Sequence, residues 1–363
     1  MAKLRVLHVV TYMGLGGLET MLMNYYRKID RDKIQFDFLV HKNEEAYYDK
    51  EIESLGGNIF HLPRLNPFSK SYKNALENFL INHPEYKIIH VHQDCLSGVI
   101  LKVAKECGVP VRIAHSHSSN QDKNLKYLIK LYFKRIIPKY STHLLACGQK
   151  AGEWMFSGAK FNVLNNAIEA EKYTFSEKKR NEMRNELNIP DNKLVIGHVG
   201  RFSEPKNHSF LIKIFAETLK TTDALLLLVG DGELRPNIEA QAKQLGIYDK
   251  ILFLGKRNDV YDVMQAMDVF VFPSLYEGLG IVVIEAQASG LPCLISNEVP
   301  TDAMLTDSVW QLPLNVLATL WAQKINELKT LNRNNTLKQI KNHGYDIDDN
   351  VTELENFYLK LWS

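Results

Sequence analysis

Long hydrophobic runs and paired cysteines are both missing from this sequence. No apolar stretch approaches the about 20 residues that a transmembrane helix needs, so we expect no membrane span. Four scattered cysteines, Cys95, Cys107, Cys147 and Cys293, form no Cys-x-x-Cys pair and no zinc-ligand spacing. This pattern favours free thiols in a reducing compartment over a disulfide scaffold or a zinc domain. The sequence starts directly with strand-forming residues, so we expect no signal peptide and a cytoplasmic location.

A strong net charge is also missing, but the charge is unevenly divided along the chain. The 363 residues carry a net charge of +2. Residues 1–165 hold 23 Lys and Arg against 15 Asp and Glu, and the remainder holds 21 against 27. Chance variation of the surface is one explanation. The other is that the first half meets an anionic group, such as a phosphate or a membrane surface.

Short apolar runs alternate with longer amphipathic segments over most of the chain. We predict buried strands at 4–10, 34–40, 88–91, 111–114, 143–147, 194–199, 224–229, 250–254, 268–272 and 292–296. Continuous apolar strands separated by helices are typical of parallel sheets that are covered on both faces. The sequence therefore predicts two doubly wound, Rossmann-like α/β domains that face a cleft, with ligands at the carboxyl ends of the strands.

The domain boundary is expected where this alternation stops. Between 147 and 194 the chain becomes polar, so we predict a first domain over 1–168 and a second over 169–345. Residues 346–363 are predicted to form a C-terminal helix that packs back on the first domain.

A glycine-rich loop, "TYMGLGGLETM" at 11–21, follows the first predicted strand. Gly16 and Gly17 precede a helical segment, where a backbone can approach an anion closely. The dinucleotide fingerprint G-x-G-x-x-G would need a third glycine where this chain has Glu19, so nicotinamide binding is disfavoured. A plain tight turn is the alternative interpretation.

Two histidine pairs stand at strand ends. His115 and His117 lie at the end of the strand over 111–114, where active-site groups gather, although a lone histidine is more often structural. A metal pair would need a third ligand, and Asp122 is a weak candidate. The segment "HVHQD" at 90–94 is placed similarly, but no specific role follows from it.

In the second half, "GHVGRFSEPKNH" at 197–208 places Arg201 and Lys206 in a polar loop at a strand end. Two cations there suit a diphosphate, because arginine binds two oxygens at once and lysine supplies a point charge. A solvated loop is the alternative. The segment "LLVGDGEL" at 227–234 places two more glycines after the next strand.

The segment "YEGLGIVVIEA" at 276–286 contains two glutamates eight positions apart. With a helix starting near Gly280, Glu285 lies about 7 Å along its axis, whereas Glu277 stays in the loop. The two carboxylates can therefore accept hydrogen bonds from two separate sets of hydroxyls on one extended ligand. A nucleotide sugar fits, with ribose at one end, hexose at the other, and a diphosphate between them for Arg201 and Lys206.

Four segments together resemble the retaining glycosyltransferases of family 4, which have the GT-B fold. They are "GGLE" (16–19), "GRFSEPKN" (200–207), "VGDGEL" (229–234) and "EGLGIVVIEA" (277–286). The last matches the E-x7-E pattern of that family, and the resemblance covers nearly the whole chain.

Three further segments resemble bacterial exopolysaccharide and capsule transferases: "ACGQKAGEWMF" (146–156), "VLNNAIE" (163–169) and "GYDI" (344–347). One departure is Asn166-Ala167, where many relatives have Asn-Gly.

The resemblance implies donor binding in the second domain, acceptor binding in the first, no metal ion and no other cofactor. The donor substrate is a nucleotide sugar, for which we favour a UDP-sugar, with GDP- and ADP-sugars as alternatives. The implied catalytic residues are Glu277, Arg201, Lys206 and a histidine that is either His115 or His117. The implied donor-binding residues are Gly16, Gly17, Gly200, Arg201, Lys206, Gly230, Asp231, Gly232, Glu277, Gly278, Leu279, Gly280 and Glu285.

The expected activity is metal-independent, retaining hexosyl transfer from a nucleotide-diphosphate sugar to a lipid-linked glycan in exopolysaccharide or capsule synthesis. A sugar-nucleotide epimerase of the same fold is one alternative, but the E-x7-E pattern with both cations favours transfer. A non-catalytic partner subunit of another glycosyltransferase is the second alternative, and intact candidates at every donor position argue against it.

A basic stripe runs along a predicted helix over 122–140. Lys123, Lys126, Lys130 and Lys134 recur every three or four residues, which is typical of a helix on the cytoplasmic membrane surface and also of an ordinary solvated helix. The positive first half favours peripheral membrane contact. Nucleic-acid binding is disfavoured, because the stripe lacks the interleaved aromatic platform and the recognised motif that a nucleic-acid module would have.

Overall fold

The computed structural model describes residues 3–117 and 127–362. The chain divides into two compact units, one of Met1–Ile168 with Gly344–Ser363 and the other of Glu169–His343. Acceptor binding by the first domain and donor binding by the second stay predictions.

The described part of the first unit is a seven-stranded parallel sheet with the order β3-β2-β1-β4-β5-β6-β7. Its strands are β1 (Leu4–Val9), β2 (Ile34–Val40), β3 (Ile59–His61), β4 (Ile88–Val91), β5 (Val111–Ser116), β6 (His143–Ala146) and β7 (Asn162–Val163). The helices are α1 (Gly17–Lys28), α2 (Asp49–Ser54), α3 (Lys70–Asn82), α4 (Ser97–Glu106), α5 (Tyr127–Tyr140) and α6 (Gln149–Phe156). All seven residues of β2 are buried, as expected for a strand covered on both faces.

The described part of the second unit is a six-stranded parallel sheet with the order β10-β9-β8-β11-β12-β13. The strands are β8 (Leu194–Val199), β9 (Ala224–Val229), β10 (Ile251–Gly255), β11 (Val269–Phe272), β12 (Cys293–Ser296) and β13 (Val309–Leu312). The helices are α7 (Ala170–Tyr173), α8 (Glu177–Glu186), α9 (His208–Leu219), α10 (Arg235–Gln244), α11 (Val260–Val263), α12 (Ile281–Ala288), α13 (Ala318–Leu328) and α14 (Leu337–Asn342).

The last helix, α15 (Ile347–Trp362), belongs to the first unit, where it packs against α1. Leu354 and Tyr358 lie in the core of that unit. A carboxylate oxygen of Glu355 accepts a hydrogen bond of 2.6 Å from the backbone N–H of Asp30. The C-terminal helix α15 thus completes the hydrophobic core of the first unit.

The predicted pair of parallel-sheet α/β units is confirmed, and each predicted apolar run contains a strand. Three strands were missed, β3, β7 and β13. They are short strands at sheet edges, where one face meets solvent, so no continuous apolar run announces them. The predicted strand over 111–114 was too short, since β5 continues through His115 and Ser116 alongside β6.

Candidate functional site

Two loops of the second unit, one after β8 and one after β9, are packed tightly together. The backbone N–H of Gly200 donates to Val229 O over 2.9 Å. Gly230 has a φ of 132°, and a Cβ added there would lie 2.1 Å from Gly200 O. A Cβ on Gly232 would lie 2.6 Å from Phe202 O. The predicted donor-binding glycines therefore have a structural role as well, since only glycine allows this approach.

Lys206 and Glu277, which the sequence predicted for different parts of the donor, form an ion pair. Lys206 Nζ lies 2.6 Å from Glu277 Oε1, and the two side chains are only 22% and 10% exposed. Lys206 Nζ also lies 4.9 Å from the centre of the Phe272 ring. Ser274 Oγ lies 2.5 Å from the same Glu277 oxygen. A lysine ammonium and a hydroxyl thus hold one carboxylate in place at the strand ends.

The loop that carries Lys206 is fixed to the loop that carries Glu277. Leu275 N–H donates to Pro205 O over 2.7 Å. The amide Nδ2 of Asn207, a residue with a left-handed φ of 52°, donates to Pro273 O over 3.0 Å. Sequence reasoning missed Ser274 and Asn207 as partners within these loops. The usable signal was that Asn207 directly follows Lys206 and that Ser274 precedes Glu277 by three positions.

Arg201 behaves differently from Lys206. Its side chain is 72% exposed, and its Nη2 lies 3.0 Å from Glu233 Oε2. The two cations predicted to share a diphosphate therefore each pair with a different carboxylate in the ligand-free protein. An exposed ion pair of this kind contributes only about 0–1 kcal/mol, so a diphosphate can replace Glu233 at little cost. Sequence reasoning missed Glu233 as this partner, although it lies inside the "VGDGEL" segment.

The remaining predicted donor residues lead into helix α12 or lie beside Gly230. Gly278, Leu279 and Gly280 form the turn from Glu277 into that helix, with Leu279 buried and Gly280 at a φ of 85°. Asp231 Oδ1 accepts a 2.9 Å hydrogen bond from the backbone N–H of Gly232. Its carboxylate therefore braces its own turn.

Glu285 stands in α12 beside Tyr173 of α7. Burial raises the pKa of the Glu285 carboxyl to about 7, and a hydrogen bond with the Tyr173 hydroxyl opposes that rise. Near neutral pH the carboxyl is therefore close to half protonated, and it can either donate or accept a hydrogen bond. Sequence reasoning missed Tyr173, because it lies in the polar stretch at the start of the second predicted domain.

In the first unit, the loop with Gly16 and Gly17 leads into α1, with Gly16 at the N-cap. A Cβ on Gly16 would lie 2.2 Å from Glu19 Oε2, so the Glu19 carboxyl fills the space in front of this glycine. Burial raises the pKa of Glu19 to about 7. A phosphate approaching the start of α1 would thus meet a carboxyl group that must be neutral or turn away.

Five histidines gather at the carboxyl ends of β1, β4 and β5, and we call them the histidine cluster. They are His8, His90, His92, His115 and His117. Burial lowers the pKa of each of them, so all five are neutral at pH 7. Sequence reasoning gave a candidate role only to the last two, and it noted His90 and His92 as a second pair without a role. His8 was missed, although a histidine at the end of each of three neighbouring strands was the available signal.

Three hydrogen bonds fix rings of the histidine cluster. His8 Nδ1 lies 3.1 Å from His92 Nε2, and His92 Nδ1 lies 2.8 Å from His117 Nε2. His90 Nδ1 lies 2.6 Å from the Tyr358 hydroxyl of α15. His115 is only 2% exposed, and among the described residues neither of its ring nitrogens has a partner.

The histidine cluster contains two sets of three residues whose nitrogen atoms lie within 4.8 Å of one another. One set is His8, His90 and His92, and the other is His92, His115 and His117. Imidazole nitrogens suit zinc and similar metals. His92 belongs to both sets, however, and both of its ring nitrogens are engaged with other histidines. Asp122, the weak third ligand predicted from the sequence, lies outside the described residues.

Comparison with known proteins assigns the chain to a family. Residues 179–346 match the family described as "Glycosyl transferases group 1". EpsF of Bacillus subtilis (strain 168), which carries a glycosyltransferase name, is 39% identical over 376 residues, 98% of this chain and 96% of EpsF. The chain belongs to the group 1 glycosyltransferases.

Further curated relatives agree with the predicted branch, and a solved structure agrees with the fold. The Escherichia coli "UDP-Gal:alpha-D-GlcNAc-diphosphoundecaprenol alpha-1,3-galactosyltransferase" is 26% identical over 82% of this chain and 80% of its own. The Anabaena HepE structure, solved in complex with UDP, superimposes with a TM-score of 0.81 at 17% identity, over 98% of this chain and all of HepE (100%). Relatives named for capsular polysaccharide synthesis confirm the predicted branch, and the GT-B fold is confirmed. Neither the epimerase nor the non-catalytic partner is favoured.

The basic stripe of this glycosyltransferase is only partly described. Lys123 and Lys126 lie outside the described residues. Lys134 Nζ lies 4.4 Å from the centre of the Trp154 ring, and burial lowers its pKa. Exposed apolar side chains accompany Lys130 on the same helix: Leu128 is 76% exposed and Tyr132 62%.

Among the described residues, no helix combines the length and the apolarity that crossing a membrane requires.

Proposed function

We propose that this glycosyltransferase moves a hexose from a UDP-sugar to a polyprenyl-diphosphate-linked glycan in surface polysaccharide synthesis. The observation that carries the proposal is the Lys206–Glu277 pair. It places a cation beside a carboxylate at strand ends, where the leaving diphosphate and the sugar of one donor would need them. HepE, which shares the fold, binds UDP, and the Escherichia coli relative is named for UDP-galactose and a diphosphoundecaprenol acceptor.

Each donor group has a candidate partner in the second unit. Lys206 and Arg201 stabilise the diphosphate as it leaves, Glu277 accepts hydrogen bonds from the hexose hydroxyls, and Glu285 binds the ribose hydroxyls. The glycines at 200, 230 and 232 keep two strand-end loops close together beside them. Because these cations neutralise the leaving charge, the reaction needs no metal ion and runs in excess EDTA.

The reaction retains the anomeric configuration of the donor. Retention through a covalent intermediate would need a nucleophilic carboxylate at the anomeric carbon. Glu277 is the strongest candidate, but its carboxylate already bonds Lys206 and Ser274. We therefore favour attack from the face that the diphosphate leaves. The bond from the anomeric carbon to the acceptor oxygen forms as the bond to the phosphate oxygen breaks, and the departing phosphate takes the acceptor's proton.

Of the two predicted catalytic histidines, His117 is better suited than His115 to support the transferred sugar. His117 lies beyond the end of β5 and is partly exposed, whereas His115 lies within the strand and is buried. Among the described residues His117 Nδ1 has no hydrogen-bond partner, although it is buried. An unpaired buried polar atom costs about 1–3 kcal/mol, so a sugar hydroxyl that bonds it is favoured.

The test combines turnover, product analysis and two lysine variants. Transfer from an α-linked UDP-sugar to a lipid-diphosphate acceptor is followed with EDTA in excess, and NMR gives the anomeric configuration of the product. Lys206→Ala should lower kcat by about 10²–10³-fold. Lys220→Ala, at a lysine 67% exposed elsewhere in the second unit, is the matched control and should leave kcat unchanged. An inverted product, rescue by Mg²⁺ after EDTA, or hydrolysis of the donor without transfer would reject the proposal.

Contact with the cytoplasmic membrane surface accompanies this function, because the acceptor is lipid-linked. Helix α5 offers exposed Leu128 and Tyr132 beside Lys130, and Phe68 nearby is 71% exposed. Changing Leu128 and Tyr132 together to serine should weaken cosedimentation with anionic vesicles. Leu317→Ser, at a leucine 74% exposed in the second unit, is the control. Equal binding by both variants would reject the surface of α5.

A further inference from the structure

We infer that His8 and His92 are positioning residues that decide whether His117 donates or accepts a hydrogen bond. The use of His117 in transfer rests on the proposed function, whereas the hydrogen-bonded chain of three rings does not. His8 Nδ1 lies 3.1 Å from His92 Nε2, and His92 Nδ1 lies 2.8 Å from His117 Nε2. His92 therefore joins the buried His8 to the partly exposed His117.

The hydrogen-bonded series His8–His92–His117 can exist in only two arrangements. A neutral imidazole has one N–H donor and one bare nitrogen that accepts. The three rings are neutral because burial lowers their pKa values, to about 3 for His8 and for His117 and well below the ordinary value for His92. The central ring, His92, must then donate one of its two hydrogen bonds and accept the other. Both hydrogen bonds consequently point in the same direction along the chain.

In the first arrangement all three rings carry hydrogen on Nδ1. His8 donates to His92, His92 donates to His117, and the Nδ1–H of His117 is left free to donate. In the second arrangement all three rings carry hydrogen on Nε2, and each bond is reversed. Nδ1 of His117 is then bare and can only accept. The two ends are thus coupled, although His8 and His117 share no hydrogen bond.

This coupling gives one histidine two uses without a buried charge. The His117 Nδ1 atom is buried and has no partner among the described residues, so it is the atom a ligand would meet. The donor form supports an oxygen that gains negative charge, and the acceptor form takes a hydrogen bond from a sugar hydroxyl. Charging the ring instead would cost far more, because the surroundings exclude water.

His8, at the buried end of the three-ring series, is well placed to set the direction of both hydrogen bonds. His8 is 1% exposed, and its Nε2 has no partner among the described residues. It borders a cavity of about 10 Å³ that His90, His115 and Tyr358 also line. His90 lies beside the chain but outside it, because its Nδ1 pairs with the Tyr358 hydroxyl. His90 is therefore a matched control, since its ring centre lies 4.3 Å from that of His92.

The test measures the tautomers of the three rings directly in the ligand-free, full-length protein. With ¹⁵N-labelled histidine, long-range ¹H–¹⁵N correlation spectra distinguish a protonated ring nitrogen from a bare one. We expect His8, His92 and His117 to share one tautomer in the unmodified protein. In His8→Asp an ionised carboxylate can only accept, so His92 and His117 should both be in the Nε2–H form. His90→Asn should leave the His117 tautomer unchanged.

Different tautomers within the trio would overturn the inference, and this measurement needs no variant to fold. A His117 ring in the Nδ1–H form in His8→Asp, or a His117 tautomer that changes in His90→Asn, would also overturn it. Turnover is measured separately. Coupled tautomers with an unchanged kcat would support the hydrogen-bonded series of three rings. The same result would reject the use of His117 under the proposed function.

Discussion

Glu285 should make the second unit less stable as the pH rises towards neutrality. Burial raises the pKa of its carboxyl from the ordinary 4.5 to about 7 in the folded protein. Between these two values the folded state holds a proton that the unfolded state has released, so the free energy of unfolding falls with rising pH. Above pH 7 both states are ionised, and the full penalty remains.

The size of this penalty follows from the two pKa values. Each pKa unit corresponds to about 1.4 kcal/mol, so a pKa difference of about 2.5 gives at most about 3.5 kcal/mol. Solvent screening reduces this value, because Glu285 as a whole is partly exposed. Glu285→Gln has no carboxyl to ionise. Its stability relative to the original chain should therefore increase by up to about 3 kcal/mol between pH 4.5 and pH 8.

Urea unfolding at a series of pH values measures this difference. Glu298→Gln, at an exposed glutamate of the same unit, is the control and should run parallel to the original chain. Tyr173→Phe removes the hydroxyl that opposes the rise, so it should steepen the pH dependence. If Glu285→Gln also runs parallel to the original chain, the carboxyl ionises as freely when folded as when unfolded, and the reasoning fails.

Two further predictions concern the same unit. Glu285→Ala should weaken the binding of UDP in calorimetry, whereas Glu277→Ala should keep UDP affinity and lose transfer; equal loss of affinity in both would refute the division between ribose and hexose. Gly230→Ala should destabilise the protein by more than about 1–2 kcal/mol, because its Cβ would meet Gly200 O at 2.1 Å. Gly246→Ala, at a φ of 68° with open space around it, is the control for backbone strain alone, and thermal unfolding of the two compares them.

Much of the fold follows from the sequence because buried parallel strands are covered on both faces. Segments such as 224–229 and 269–272 must then be apolar almost throughout, and that pattern is visible without a structure. The edge strand β7, with two exposed residues, carries no such requirement. Short edge strands are therefore set by tertiary pairing, which a single sequence does not display.

In the candidate site too, local patterns could be predicted from the sequence, whereas contacts between distant positions could not. Lys206 and Glu277 could be predicted because strand-end loops with charged residues and glycines are local patterns. Their pairing with each other could not, since they stand 71 positions apart and meet only when β8 and β11 become neighbours. The histidine cluster is hidden for the same reason. His8 and His90 are directly opposite in the register of β1 and β4, but 82 positions apart in the chain.

Glu19 provides a pH-dependent test of the predicted part of Gly16 and Gly17 in donor binding. Its carboxyl lies at the start of α1 in front of Gly16, and its pKa is about 7 because of burial. Below pH 7 the neutral acid does not repel a diphosphate, whereas above pH 7 the carboxylate does. UDP affinity should therefore fall as the pH rises through 7, and Glu19→Gln should remove this fall. Calorimetric titrations with UDP between pH 6 and pH 8 compare the two proteins, each also in a Glu285→Gln background, which removes the Glu285 carboxyl, whose pKa is also about 7. An equal fall with and without Glu19 would show that no phosphate approaches the start of α1, and Gly16 and Gly17 would then have no part in donor binding.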